Sequence, residues 1–175
     1  MHRLDLLRFV LGDDVVRVQA VTRTCDPAFI NGAEDQAAGT LEFGQGTIGE
    51  FFATYSGYRM PYGESFMIFG EQGAVHALPV LGQYVGPAVV AAQGRTGPSP
   101  VRDWRDQYAG FTPIEPDRSD LPTDNPYENE VLHFVECCRT GARPLTDGAD
   151  NVRTLAAIDA IYESARTGSS VRPAI

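Results

Sequence analysis

Lysine is absent: all 14 basic residues in this 175-residue sequence are arginines, so the chain cannot itself supply a step that needs a lysine ammonium. Cysteine is scarce. There are three, and Cys137 and Cys138 are neighbours inside a helical pattern; an odd count with that adjacency excludes a disulfide framework or a zinc ribbon and leaves buried, reduced thiols. Positive charge is in deficit, 14 against 23 acidic residues for a formal charge of -9, which excludes a nucleic-acid backbone or an anionic membrane surface as partner. No stretch approaches the roughly 18 apolar residues of a spanning helix, and Met1-His2-Arg3-Leu4-Asp5 lacks the basic-then-apolar plan of a secretory signal, so a cytoplasmic location is expected. The 43% hydrophobic and 10% aromatic residues that are present are enough for one substantial core. With no internal repeat, residues 1-175 read as a single domain.

Hydrophobic periodicity sets out the elements. Leu4, Leu7 and Leu11 form one helical stripe that Gly12 and Asp13-Asp14 end, predicting a helix over His2 to Leu11. From Val15 to Thr24 the residues Val16, Val18, Ala20 and Thr22 alternate with Val15, Arg17, Gln19 and Val21, a strand with one wetter face. Strands at Gln36 to Phe43 and Thr47 to Ser56 flank Gly44-Gln45-Gly46, and Ser65 to Phe69 and Ala74 to Leu78 flank Gly70-Glu71-Gln72-Gly73. Both pairs have the plan of hairpins, giving a meander of at least five strands. Between Pro79 and Pro126 the pattern lapses into glycine, proline and charge, with one strand around Ala88 to Ala92; a connection of that length points to function or mobility. Asn125-Pro126 opens a helix that runs to Gly141, and a second comes after Asp147-Gly148 and ends at Gly168. Helix, strands, helices is an α+β order.

Several residues invite chemical readings. His2 and Asp5 are three apart and share a helical face. Glu130, His133 and Cys137 have a spacing that metal ligands use on a helix, but Phe134 and Val135 commit that helix to packing, and no metal is expected. Gly44-Gln45-Gly46-Thr47-Ile48-Gly49 scans as the G-x-G-x-x-G of a dinucleotide site. The next residues, Glu50 to Tyr55, read as a strand and not a helix, so the glycines form a hairpin turn. Tyr55, Tyr58 and Tyr62 can cover a sheet face. Trp104, Tyr108 and Phe111 suit stacking on a sugar or docking a neighbouring subunit, and nothing in the sequence chooses between these.

Taken in order, these segments resemble the second domain of the Gfo/Idh/MocA family of oxidoreductases. His2-Arg3-Leu4-Asp5-Leu6-Leu7-Arg8-Phe9-Val10-Leu11-Gly12 is similar to its H-x-x-D-hydrophobic-helix-Gly element, which in the family comes after an aspartate four residues before the histidine. Phe69-Gly70-Glu71-Gln72-Gly73-Ala74-Val75 resembles its G-x-x-G hairpin, and Glu130 to Pro144 resembles a helix ending in a small-residue, arginine and proline turn. Asp150 to Val171, with Tyr162-Glu163-Ser164, Ala165 and Gly168, looks like its closing helix.

The resemblance implies an α+β fold with an open-faced, largely antiparallel sheet and helices packed on one face. It also implies that the chain is the C-terminal substrate and oligomerisation domain, without the Rossmann domain. The implied activity is that of an NAD- or NADP-dependent oxidoreductase acting on a hydroxyl of a sugar, cyclitol or related polyol, inactive as this chain alone. His2 matches the family's active-site histidine. Asp5 matches the acidic residue that either orients the imidazole or contacts a substrate hydroxyl, and Tyr62 with Arg59 matches substrate-contacting positions. The cofactor belongs to the intact enzyme and is not expected to bind this chain alone, since the family's Glu-Lys-Pro lysine has no counterpart here. Homo-oligomers through the open sheet face are implied, and a non-catalytic dimerisation or ligand-binding module is the alternative.

Overall fold

The Leu4, Leu7, Leu11 stripe does form a helix, α1 (His2–Leu11). It stops where glycine permits: Gly12 adopts φ 59° and ψ 33°, and its N–H bonds back to the carbonyls of Arg8 and Phe9, the left-handed cap that a Cβ would disfavour. These elements belong to a computed structural model that describes residues 1–57, 65–78, 88–93, 112–114 and 117–174. After α1 come β1 (Val15–Arg23), β2 (Gln36–Phe43), β3 (Ile48–Thr54), β4 (Phe66–Gly70), β5 (Gly73–Leu78), β6 (Ala88–Gln93) and β7 (Thr112–Ile114), then α2 (Pro126–Thr140) and α3 (Gly148–Thr167).

All described strand pairings are antiparallel, and they form two sheets, β1-β2-β3 and β4-β5-β6-β7. The chain divides accordingly into two compact units, Met1–Tyr58 with Pro126–Ile175, and Arg59–Asn125. The α+β class and the strand positions agree with the sequence. Within each sheet the strands follow one another in chain order, the up-and-down plan of a meander.

In the first sheet the inner face carries Val18, Ala20, Leu41 and Phe43, all at most 3% exposed. One detail departs from simple alternation. The register between β1 and β2 shifts between Val15 and Arg17, a bulge at Val16 that turns both Val15 and Val18 inward. Val15 is therefore 4% exposed and Val16 41%, the reverse of their expected faces. On β2, Gly39 lies under the Phe51 ring; an added Cβ would sit 2.8 Å from Phe51 Cε1 and 2.3 Å from the Gln19 carbonyl oxygen, so only glycine fits.

Helix α3 closes this face. Thr154, Ala157, Ala160 and Ser164 lie along one stripe and are buried, and the small side chains let the helix sit close to β1. Ala157 and Ala160 join Leu4, Val15, Val18, Leu41 and Phe43 in one apolar cluster, where a fully buried valine or leucine contributes ~1.5–3 kcal/mol. The free edge of β1 is satisfied at the same place. The Ala20 N–H donates to Ser164 Oγ at 2.9 Å, and Val18 exchanges backbone bonds of 2.8 and 2.9 Å with Val171.

Helix α2 corrects an expectation. Phe134 and Val135 are 58% and 49% exposed, and of the whole helix only Cys137 is buried, because α3 and not α2 covers β1. Among the described residues no helix is long and apolar enough to cross a membrane.

Candidate functional site

The first turn of α1 carries His2. Met1 at the N-cap makes no side-chain capping bond, and the Asp5 N–H donates back to the Met1 carbonyl at 3.1 Å. His2 is exposed to solvent. Asp5, one turn on, faces the other way from the expected pairing. Its Oδ1 accepts from the Thr154 hydroxyl of α3 at 2.6 Å and from Arg8 Nη1 at 3.5 Å, and among the described residues no hydrogen bond joins it to His2.

Arg8 is the hub of this arrangement. It occupies the buried stripe of α1, and its side chain is only 6% exposed. Nη1 donates to Thr154 Oγ1 at 2.7 Å, Nε and Nη2 donate to Asp14 Oδ1 at 3.0 and 2.7 Å, and Nη2 reaches Asp150 Oδ1 at 3.1 Å. A buried guanidinium needs such partners, since leaving it unpaired costs several kcal/mol. Arg153 pairs with the second oxygen of Asp14. Burial pushes the Arg8 pKa down, but the hydrogen bonds and charges of Asp14 and Asp150 outweigh it and raise it above its ordinary value. Burial likewise pushes the Asp14 carboxyl up, and the hydrogen bonds from Arg8 and Arg153 bring it below the usual carboxylate range. Both groups therefore stay charged at neutral pH.

The cluster floors a cavity of about 390 Å³ whose walls include Phe9, Leu145 and Arg143. It is built from α1, the β1 entry and the start of α3. The α3 end is fixed by Asp147, whose Oδ1 caps the Asp150 N–H at 2.8 Å and whose Oδ2 accepts from Arg143 Nε at 2.5 Å.

Two of the four residues singled out by sequence, Arg59 and Tyr62, lie outside the described residues, as do Tyr58, Trp104, Tyr108 and Phe111. On α2, His133 Nε2 accepts the Leu145 N–H at 3.1 Å and stands 3.6 Å from Cys137 Sγ, so this ring closes the α2–α3 connection. Among the described residues no group of three potential ligands gathers around a metal position. The residues missed by sequence reasoning are Arg8, Asp14, Asp150 and Thr154. A signal existed for Arg8: position 8 falls on the Leu4, Leu7, Leu11 stripe, where a charge must be buried with partners.

The G-x-G-x-x-G spacing at Gly44 is a turn, as the sequence suggested. The Gly44-Gln45-Gly46 segment is the β2–β3 turn, with Gly46 at φ 93°, and its amides are already used. Gln45 N–H donates to Asp13 Oδ2 at 2.7 Å and Gly44 N–H to the Asp14 carbonyl at 3.0 Å, so a carboxylate stands where a pyrophosphate would have to.

The model of the Gfo/Idh/MocA oxidoreductase family, C-terminal alpha/beta domain, matches residues 1–172. The chain belongs to this family. D-apiose dehydrogenase of Rhizobium rhizogenes is 30% identical over 98% of the chain and 46% of its own length. D-xylose 1-dehydrogenase (NADP(+)) 2 of Haloferax volcanii is 28% identical over 97% of the chain and 45% of its length. The chain thus spans about half the length of the curated relatives it matches. Among solved Gfo/Idh/MocA-like structures, the aldose-aldose oxidoreductase of Caulobacter crescentus complexed with glycerol superposes with a TM-score of 0.76 at 28% identity, over 98% of this chain and 45% of that one. An oxidoreductase from Agrobacterium radiobacter, in complex with NAD+, L-tartaric acid and magnesium, gives 0.71 at 26% identity over 98% and 46%.

Proposed function

We propose that this chain is the substrate-side domain of an NAD- or NADP-dependent oxidoreductase that acts on a hydroxyl of a sugar, cyclitol or related polyol, and that it is inactive without a nucleotide-binding domain. The observation that carries this reading is the exposed first turn of α1, where His2 is held at solvent while Asp5 ties the turn to α3. Support comes from relatives that bear the names of D-apiose, D-xylose and scyllo-inositol dehydrogenases.

Oxidising an alcohol requires removal of the hydroxyl proton, and imidazole exchanges protons near neutral pH. His2 takes that proton. Asp5, Arg59 and Tyr62 hold the other hydroxyls of the substrate, with Arg59 and Tyr62 assigned from family resemblance alone. The cofactor, held by the nucleotide-binding domain, would accept the hydride.

The test is NMR of the chain titrated with D-apiose, D-xylose and scyllo-inositol, tracking the His2 imidazole and the α1 amides. Saturable shifts at His2 and Asp5 are expected with at least one of them. Shifts confined to other parts of the chain, or none with any polyol, would overturn the reading.

Pairing with a second copy through the outer face of β1–β3 is the accompanying proposal. It is favoured by Val21 and Phe52, 52% and 66% exposed, which flank Ala38 in one apolar cross-strand row of that face. Light scattering should give a dimer or larger; a monomer at high concentration would contradict it.

A further inference from the structure

We infer that Asp5 acts as a positioning residue: through Thr154 and Arg8 it pins the first turn of α1 to α3 and so fixes the geometry of His2. The inference rests on the reading of His2 given above. The reason lies in the bonds that tie this turn to α3: an imidazole on an exposed helical turn keeps a defined position only while the turn itself is held. The bond that holds it is long-range. Thr154 Oγ1, from a residue 1% exposed, donates to Asp5 Oδ1 at 2.6 Å across 149 positions of sequence. The same hydroxyl oxygen accepts from Arg8 Nη1 at 2.7 Å, so one group takes a guanidinium hydrogen and gives its own to the carboxylate. Arg8 is in turn anchored by Asp14 and Asp150. The chain of bonds therefore runs from the β1 entry and the start of α3, through Arg8 and Thr154, to the turn that bears His2. Asp5 Oδ2 takes no hydrogen bond among the described residues, so the pinning leaves one oxygen for a substrate hydroxyl.

Thr154→Val keeps the shape of the side chain and removes only the hydroxyl, while Thr154→Ser keeps the hydroxyl. Hydrogen–deuterium exchange on the chain reads the turn directly. In Thr154→Val the amides of Asp5 to Arg8 should exchange about fivefold faster, as expected for one lost hydrogen bond, with α3 amides beyond Ala160 unchanged; Thr154→Ser should keep the slow rate. Equal exchange at α1 in wild type and Thr154→Val would overturn the inference, as would faster exchange spread evenly over the whole unit. A second readout separates this inference from the assignment of His2. In the chain joined to a nucleotide-binding domain, Thr154→Val should lower kcat about fivefold with KM nearly unchanged, and Asp5→Ala combined with it should lose no more than Asp5→Ala alone. If His2→Asn is harmless while Thr154→Val still loosens α1, the role of His2 fails and the pinning stands. If His2→Asn abolishes turnover while Thr154→Val leaves both kcat and exchange intact, the pinning fails and the role of His2 stands.

Discussion

Replacing Arg8 by methionine should be among the most damaging single changes to the first unit. The substitution keeps an unbranched side chain of similar reach and removes the guanidinium that joins Asp5, Asp14, Asp150 and Thr154. Breaking a buried pair by deleting one partner costs ~3–5 kcal/mol. The lower end applies here, because the side chains of Asp5, Asp14 and Asp150 are 28%, 29% and 36% exposed and regain water once released. The expected loss is ~3 kcal/mol, which for a chain of this size lowers Tm by ~6–12 °C. The assay is urea and thermal unfolding by circular dichroism, with Arg17→Met as the comparison. Arg17 also pairs with a carboxylate, Glu42 at 2.5 Å, but the two side chains are 50% and 40% exposed, and such a pair contributes under ~1 kcal/mol. If Arg8→Met cost no more than Arg17→Met, solvent would be replacing the guanidinium, and the network could not be what fixes α1.

Acid sensitivity is expected from Asp14. Burial raises its pKa, but hydrogen bonds from Arg8 and Arg153 bring it below the ordinary 3.8, so its contribution is present above 3.8 and is lost as pH falls through the lower folded value. Asp14→Asn should therefore flatten the acid limb of the stability curve below pH 3.8, and an unchanged limb would contradict this. Gly39→Ala should destabilise by ~1–3 kcal/mol, the usual cost of overpacking, since its Cβ meets the Gln19 carbonyl and the Phe51 ring; a neutral effect in urea would refute the contact. Asp35 accepts the backbone N–H groups of Cys25 and Asp26 at 2.8 Å each. Asp35→Ala should thus speed limited proteolysis between Asp26 and Ala33, with wild-type cutting rates counting against it.

Much of the fold was legible because the elements have strong local signals. The α1 stripe with its glycine stop, the β2 boundaries and the proline that opens α2 all emerged from short-range pattern. The bulge at Val16 did not, since a period of two carries no mark of an inserted residue, and the three-residue β7 is too short to show a period. The site was legible only at one end. His2 and Asp5 share a helical face in sequence, yet the partners of Asp5 and Arg8 on α3 are 149 and 142 residues away, and no local pattern announces them. The exposed stripe of α2 shows the converse: helical periodicity identifies an apolar face but not whether anything covers it.

The central claim is best tested by hydride transfer. The chain joined to a nucleotide-binding domain of a family relative, such as D-apiose dehydrogenase, should be assayed at 340 nm for NAD(P)H formation with a panel of aldoses and cyclitols. The account predicts turnover with at least one polyol that His2→Asn lowers by about a hundredfold or more, in the range expected for losing a general base. A folded fusion that binds its cofactor but turns over none of them, or one that works equally well as His2→Asn, would contradict it.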